Sequence, residues 1–285
     1  MPSSVIKYSK YAACPQFDRS EVLHMKLGII RPNEAKSFDF AKEKGLDFIE
    51  LCTNFDNESE DFIAKCDETL ANIERTGIPV LSVGRWNSTP NDGGKINRDV
   101  MDMLKRQVDV TAKIGCPVFN MGVNYCEDIS LFKNYVLAIE VLREMVEYAG
   151  EKDVTLAVYN CSWNNFIVSE KQWEVVLGEI PELMLKFDAS HSNSRGENYL
   201  SVIDKWCSRF AHMHVKGQAI LDGKYVDDPP AGVDFFEWPK IFAMLYARGY
   251  DKTLALEPHS GIWQGELGER GIDFSINYIK PFIMR

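Results

Sequence analysis

The chain has 285 residues, 45% of them hydrophobic and 12% aromatic, which is enough apolar surface for a substantial core. Its formal net charge is −10 and no basic run offsets it, so the composition argues against a nucleic acid partner. No apolar run reaches the roughly 18 residues that a membrane span requires, so we do not expect a membrane partner either.

The beginning of the sequence and its cysteines indicate where the protein works. The first 24 residues lack the apolar core of a signal peptide, and we predict that residues 1–24 form an extension packed on a single domain, 25–285. Seven cysteines are scattered without a CxxC pair, which fits neither a disulfide framework nor a zinc ribbon. Both features favour a reducing compartment, so we expect a cytoplasmic protein.

A short apolar run followed by a longer segment with helical spacing recurs along the chain. Each run is continuous rather than alternating, which is typical of a strand buried on both faces of a parallel sheet. Eight such runs predict eight strands, at 26–30, 46–51, 78–83, 117–121, 154–159, 183–188, 210–215 and 253–257.

Helices and loops are predicted between these strands. Apolar residues recur three and four positions apart in 98–114 and 130–149, with Ser130 as the N-cap of the second helix and Gly150 as its stop. Segments 90–94 and 227–232 are rich in turn-forming residues and predict loops that follow a strand. Eight strand–helix units without a GxGxxG motif favour a single (β/α)8 TIM barrel, an α/β fold, over an open doubly wound sheet.

Polar residues collect at the carboxyl ends of the last three predicted strands: Asp188, His191, His212, His214, Lys216, Glu257 and His259. Barrel enzymes place their reacting groups at this end, where all strands open into one mouth. Carboxylates and imidazoles together form a mixed oxygen and nitrogen site that suits Mn2+, Mg2+, Co2+ or Zn2+. One such residue alone is more often a structural partner, but three neighbouring strands that carry them together predict a functional site.

Five short motifs, in order along the chain, resemble the sugar phosphate isomerase/epimerase group of xylose isomerase-like TIM barrels. They are GLDFIEL (45–51), LAVYN (156–160), FDASH (187–191), HMHVK (212–216) and LEPH (256–259). The resemblance covers the chain from about Met25 onward. It implies a barrel enzyme that acts on a small sugar-like substrate, and barrels of this group are often homo-oligomers.

The resemblance also implies a metal site. In that family a divalent metal, here with Mn2+ favoured, is held by Glu of strand five, Asp of strand six, His of strand seven and Glu of strand eight. Asp188, His214 and Glu257 match three of these positions, and His191 matches a family histidine that contacts the substrate. Elimination occurs on this scaffold as well as isomerisation.

The strand-five position departs from the family pattern, because Tyr159 stands where the family has glutamate. Family epimerases are thought to use the glutamates of strands five and eight as acid and base on opposite faces of an enediolate. A phenol, with an ordinary pKa near 10, supplies neither a carboxylate ligand nor a ready base at neutral pH. Two-base epimerisation is therefore disfavoured.

We predict a metal-dependent isomerase, epimerase or lyase/dehydratase that acts on a sugar or keto-sugar by proton abstraction next to a carbonyl. The candidate catalytic residues are Glu257, His191 and Tyr159, and the candidate substrate-binding residues are Lys216, Asn160, Trp86 and Glu50. The alternative is a sugar-binding barrel that has lost its metal and its catalysis because of Tyr159. A nuclease with a three-metal cluster is disfavoured, because strands two to four contain no histidine.

Overall fold

The computed structural model describes residues 23–284. The predicted packing of the extension 1–24 therefore falls almost entirely outside the described residues. From Met25 onward the chain forms one closed barrel of eight parallel strands surrounded by helices, which confirms the predicted (β/α)8 fold.

The barrel strands are β1 (Lys26–Ile30), β2 (Phe48–Thr53), β3 (Val80–Arg85), β4 (Val118–Met121), β5 (Thr155–Tyr159), β6 (Met184–Asp188), β7 (Phe210–Val215) and β8 (Thr253–Leu256). Each strand pairs in parallel with its successor, and β8 closes the barrel by pairing with β1. All eight predicted runs overlap these strands. β3 begins later than predicted, after Pro79, because proline has no amide hydrogen for the strand ladder.

The helices are α1 (Ala35–Glu43), α2 (Asp56–Ala64), α3 (Cys66–Thr76), α4 (Arg98–Lys113), α5 (Leu131–Gly150), α6 (Glu170–Glu179), α7 (Ala189–Ser194), α8 (Tyr199–Trp206), α9 (Trp238–Ala247) and α10 (Gly265–Ile279). The predicted N-cap of α5 is confirmed, since Ser130 Oγ accepts a hydrogen bond from Lys133 N at 3.3 Å. The predicted stop is confirmed as well. Gly150 is the last helical residue, and the left-handed backbone lies at Asp153 (φ 58°).

Two of the loops that follow the carboxyl ends of barrel strands each contain a short two-stranded antiparallel sheet, called a ribbon below. Residues 91–92 pair with 95–96 between β3 and α4, and 219–221 pair with 224–227 between β7 and α9. Both segments predicted as loops after a strand, 90–94 and 227–232, lie in these connections. The second connection carries Asp228, whose Oδ2 lies 3.9 Å from Lys216 Nζ at the barrel mouth.

The outer face of the barrel is apolar and packs against the helices, whereas much of the interior is polar. This division follows from the alternation of side chains along each strand. Near the amino end of the strands, the Phe48 ring fills part of the interior. A Cβ at Gly28 would lie 2.5 Å from the Phe48 carbonyl oxygen, so only glycine allows this close approach. Above it lie the fully buried side chains of Glu50 and His212.

Two further properties concern the described part of the chain. No helix in residues 23–284 is long and apolar enough to cross a membrane. All of the described cysteines are free thiols: Cys52, Cys66, Cys116, Cys126, Cys161 and Cys207.

Candidate active site

Three acidic and imidazole side chains from neighbouring strands meet at the carboxyl end of the barrel. Asp188 ends β6, His214 lies on β7, and Glu257 directly follows β8, where its amide donates to Val215 O at 3.2 Å and extends the ladder. One donor atom from each of the three side chains lies within 4.8 Å of the other two. The three predicted metal ligands therefore lie together, in a cluster that could hold one ion.

The strand register explains this convergence. Asp188 lies opposite His214 in the β6–β7 pair, and Lys186 lies opposite His212. Residues two apart on a strand face the same side, so all four side chains point into the barrel. The interior of the barrel therefore presents two rungs of polar groups, with the Asp188–His214 rung nearer the mouth.

His214 is held between carboxylates on both sides of its ring. Its Nε2 lies 2.7 Å from Glu50 Oε2, while its Nδ1 lies 2.9 Å from Glu257 Oε2 and 2.8 Å from Lys186 Nζ. A carboxylate that accepts one ring N–H fixes the tautomer and leaves the other nitrogen for a ligand. Glu50 thus directs Nδ1 of His214 towards the cluster.

Glu50, predicted to bind substrate, instead lies beneath the cluster with both carboxylate oxygens engaged. Ser82 Oγ donates to its Oε1 at 3.0 Å, and His212 Nε2 lies 2.9 Å from its Oε2. Burial alone would raise the pKa of Glu50, but the two histidines outweigh it and hold the pKa well below its ordinary value. The structure gives Glu50 the position of a group that orients His212 and His214.

Asp188 has one satisfied and one unsatisfied oxygen. Its Oδ1 accepts from Ser190 N at 2.8 Å, whereas its Oδ2 has no hydrogen-bond partner among the described residues. Oδ2 lies 3.5 Å from His191 Nε2 and 3.8 Å from Lys216 Nζ. A buried carboxylate oxygen without a partner is costly, and an ion or a substrate hydroxyl would satisfy it.

Asn160, another predicted substrate-binding residue, clamps the backbone of Asp188. Its Nδ2 donates to Asp188 O at 2.9 Å, and its Oδ1 accepts from Asp188 N at 2.9 Å. Both amide atoms are used in this way. The structure therefore places Asn160 where it positions Asp188.

Lys216 lies among three carboxylates at the mouth. Its Nζ is 3.7 Å from Glu257 Oε2 and, like its distances to Asp188 and Asp228, slightly longer than a direct hydrogen bond. Burial disfavours the charged lysine, but these acids raise the pKa of Lys216 above its ordinary value. It remains an ammonium with room to contact a substrate oxygen. Asp228 is itself held by His259 Nδ1 at 2.9 Å.

His191 is the most accessible of the predicted catalytic side chains, with 22% of its side chain exposed. Burial lowers its pKa to about 4, although the nearby Asp188 carboxylate acts in the opposite direction. The imidazole is therefore neutral at pH 7 and able to accept a proton.

Tyr159, the third predicted catalytic residue, is fully buried at the end of β5. Its hydroxyl donates to Trp163 O at 3.3 Å, and a Cβ at Gly122 would lie 2.5 Å from the phenol oxygen. Burial raises the pKa of Tyr159, so the phenol is neutral at pH 7. Its ring edge packs on Trp86, predicted to bind substrate, with the ring centroids 5.9 Å apart.

The Trp86 ring lines the site between Tyr159 and His214. The centroid of its ring lies 6.0 Å from that of His214, and its Nε1 donates to Asn120 Oδ1 at 3.1 Å. The ring is half-buried, so part of its surface remains open to a ligand.

Sequence reasoning missed Lys186, which is 1% exposed and lies inside the barrel. Its ammonium contacts Nδ1 of His214 and lies 5.0 Å from the centroid of the Trp86 ring. A signal for it exists in the sequence. It is a lysine within an otherwise apolar strand, two residues before Asp188 and hence on the same face.

The donor set of Asp188, His214 and Glu257 fits a divalent ion. Three protein ligands with further positions left for water or substrate are typical of catalytic metal sites. The carboxylate of Glu50 on the far nitrogen of His214 also matches the usual support of a metal-bound histidine. Tyr159 adds no carboxylate to this set, and the unpaired Oδ2 of Asp188 supplies a free donor atom.

Comparison with known proteins supports the fold. No curated protein matches the sequence. The solved structure of 3-keto-D-glucoside 4-epimerase from E. coli is similar over 90% of this chain and 99% of its own, with a TM-score of 0.73 and 15% sequence identity. D-psicose 3-epimerase from Clostridium cellulolyticum H10 is similar over 92% of this chain and 100% of its own, with a TM-score of 0.74 and 14% identity.

A family model described as xylose isomerase-like TIM barrel matches residues 38–281. This span contains seven of the eight barrel strands, β2 to β8, together with Asp188, His214 and Glu257. The chain therefore belongs to the xylose isomerase-like TIM barrel family.

Proposed function

We propose that this protein is an isomerase, epimerase or lyase that acts on a sugar or keto-sugar by removing a proton next to a carbonyl group. The observation that carries the proposal is the meeting of two proton acceptors, Glu257 and His191, around the buried Asp188 and Lys216 at the barrel mouth. Proton removal next to a carbonyl needs a positioned base and a charge that stabilises the developing oxyanion.

Glu257 is the first candidate base. Burial raises its pKa, but His214, Lys216 and Lys186 together lower the pKa well below its ordinary value. The carboxylate is therefore ionised at pH 7 and carries no proton of its own. Only 7% of its side chain is exposed, so water has little access to the group.

His191 is the second candidate, because its neutral imidazole accepts or returns a proton in the same chamber. A pair of acceptors allows a proton to leave one carbon and return to another, or to the opposite face. Lys216 donates hydrogen bonds without losing its charge, which suits it to hold a carbonyl or hydroxyl oxygen of the sugar.

Asp188, His214 and Glu257 would hold the divalent ion, and we propose Mn2+ because two carboxylates and one imidazole are donors that it accepts. Such an ion would act as a Lewis acid towards a carbonyl oxygen of the substrate and would stabilise negative charge that develops there. Glu50 and Asn160 support this set by fixing His214 and the Asp188 backbone.

The names of the similar structures support the choice of substrate class. One is a 3-keto-D-glucoside 4-epimerase, another is a D-psicose 3-epimerase bound to D-tagatose, and a third is an L-ribulose 3-epimerase. All three act on keto-sugars. A keto group adjacent to a C–H bond is the feature that the proposed chemistry of Glu257 and His191 requires.

A sugar-binding barrel without catalysis is the second candidate. It is favoured by Tyr159, which is buried, neutral at pH 7 and directed at the Trp163 carbonyl where the family places a carboxylate. In that case a sugar would bind at the mouth without exchange of its protons.

Deuterium exchange decides between the two candidates. The protein is incubated with Mn2+ in D2O and with D-psicose, L-ribulose or a 3-keto-glucoside, and NMR follows the proton next to each carbonyl. We expect loss of this signal from at least one sugar, and a rate lower by about a hundredfold or more in Glu257→Gln. The exposed Glu266→Gln serves as a matched control and should exchange at the wild-type rate.

Two outcomes would go against the proposal. Binding of a sugar without exchange would support the non-catalytic barrel, and unchanged exchange in Glu257→Gln would remove the assigned base.

A further inference from the structure

We propose that the ammonium of Lys186 lies beside His214 Nδ1, in the place that a divalent ion would take, so that such an ion binds only by displacing Lys186. The inference rests on the proposed function only in taking Asp188, His214 and Glu257 as the donors for the ion. The Glu, Asp, His and Glu ligand pattern of the family includes no residue at the position of Lys186.

Lys186 lies close to the candidate metal ligands. It precedes Asp188 by two residues on β6, and its side chain is buried inside the barrel. Its Nζ lies 2.8 Å from His214 Nδ1 and 5.0 Å from the centroid of the Trp86 ring. Contacts with an aromatic face and an imidazole nitrogen fix the position of this buried ammonium.

Nδ1 of His214 already has two neighbours at hydrogen-bond distance, Lys186 Nζ at 2.8 Å and Glu257 Oε2 at 2.9 Å. Nε2, on the other side of the ring, lies 2.7 Å from Glu50 Oε2. A metal ion held by His214 and Glu257 would have to lie beside Nδ1, where the nitrogen of Lys186 already lies. The ion and the ammonium cannot occupy this place together.

Two ammonium groups place positive charge beside the buried acids of the cluster. Lys216 Nζ lies 3.8 Å from Asp188 Oδ2 and 3.7 Å from Glu257 Oε2, and Lys186 precedes Asp188 by two residues on β6. This positive charge limits the cost of burying the carboxylates. A divalent ion added to the cluster would lie beside two ammonium groups in a buried region, where like charges repel strongly.

When no ion is bound, Lys186 thus supplies the positive charge that an ion would otherwise place beside the buried acids. The chain keeps its acids compensated, and its affinity for a divalent ion is lowered because Lys186 must first leave Nδ1. A keto-sugar bound at this cluster would therefore contact either the ammonium of Lys186 or, once Lys186 is displaced, a divalent ion.

The test compares two variants that each remove one ammonium. Lys186→Met frees Nδ1 of His214, whereas Lys216→Met removes a charge that lies 3.7 Å from Glu257 but has no contact with Nδ1 among the contacts of the described residues. The protein is stripped with a chelator and titrated with Mn2+, and free Mn2+ is measured by electron paramagnetic resonance.

We expect Lys186→Met to bind Mn2+ about tenfold or more tightly than wild type. Lys216→Met relieves charge repulsion but leaves the ammonium of Lys186 beside Nδ1, so it should tighten binding by less than about threefold. Equal tightening in the two variants would show general charge repulsion and overturn the proposal. Unchanged or weaker binding in Lys186→Met would overturn it as well.

A second variant and a second readout guard against misfolding. Lys186→Arg keeps the cation and should keep the weak wild-type affinity, so tightening in Lys186→Arg contradicts the proposal. Lys186→Met should unfold at a lower temperature than wild type without metal, and Mn2+ should raise that temperature more than it does in wild type. Because these readouts need no turnover, a failure of sugar exchange leaves them intact and counts only against the proposed function.

Discussion

Glu50 orients the imidazole of His214 from below the cluster and does not itself face the mouth of the barrel. It lies on β2, 162 residues from His212 and 164 residues from His214, and one of its oxygens lies against both imidazoles. The sequence predicted a polar residue at the end of a strand, but it assigned Glu50 to the substrate. Only the closure of the barrel, which brings β2 across from β7, reveals that its carboxylate is used by the histidines.

Removal of Glu50 is expected to destabilise the fold. Glu50→Ala leaves two buried imidazoles without their acceptor, and we expect it to lower the free energy of unfolding at pH 7 by about 3 kcal/mol. Urea denaturation measures this change. Glu43→Ala, on the exposed face of α1, is the matched control and should change stability by less than about 0.5 kcal/mol. A similar loss in both variants would contradict the role of Glu50.

The effect of Glu50→Ala should also depend on pH. The folded protein holds the pKa of Glu50 well below the ordinary value of 4.5, so its contribution is fully present above pH 4.5. The contribution is lost as the pH falls from there through the lower folded value. The stability difference between wild type and Glu50→Ala should therefore shrink as the pH falls below about 4.5. A difference that grows below this pH would refute the role of the Glu50 carboxylate.

His191 gives a prediction for the pH dependence of the reaction. Burial lowers its pKa to about 4, so the imidazole stays neutral and able to accept a proton as the pH falls past the ordinary histidine value of 6.5. The rate of deuterium exchange should hold between pH 7 and 5 and fall only below that range. An acidic limb with a midpoint near pH 6.5 would indicate that His191 is not shielded as described.

At the scale of the element, the junction of β5 and β6 decides where Asp188 points. Asn160 follows β5 and binds both backbone polar groups of Asp188, at the end of β6. Asp188 in turn caps α7, since its side chain accepts from Ser190 N. The LAVYN and FDASH motifs predicted these residues as neighbours in function. Their mutual hydrogen bonds depend on the register of β5 and β6, which a sequence does not specify.

The Asn160 clamp should affect metal binding through Asp188. Asn160→Ala removes both hydrogen bonds to the Asp188 backbone, and we expect Mn2+ affinity to fall by about tenfold, as for other groups that orient a ligand. Asn165→Ala removes an amide that supports the Tyr159 backbone instead and is the matched control. If both substitutions weaken Mn2+ binding equally, the clamp has no special role.

At the scale of the whole molecule, the barrel was predictable because its signal repeats eight times. Continuous apolar runs predicted all eight strands, and the ordered motifs predicted the family. The ribbons at the mouth, with strands of two to four residues, were not predicted as strands because they carry too few residues for a periodic pattern. Lys186 was readable from alternation along β6. Its contact with Nδ1 of His214 could not be predicted from the sequence, because it depends on how β6 and β7 pair.

Anomalous diffraction from a crystal soaked in Mn2+ tests whether Asp188, His214 and Glu257 hold the ion. We expect one strong peak between Asp188 Oδ2, His214 Nδ1 and Glu257, with Lys186 Nζ displaced from Nδ1. The other cluster of potential ligands, Glu50 with His212 and His214, should stay free of metal because its members already bind each other. A peak at that second cluster, or no peak at saturating Mn2+, would contradict the assignment of Asp188, His214 and Glu257 as the metal ligands.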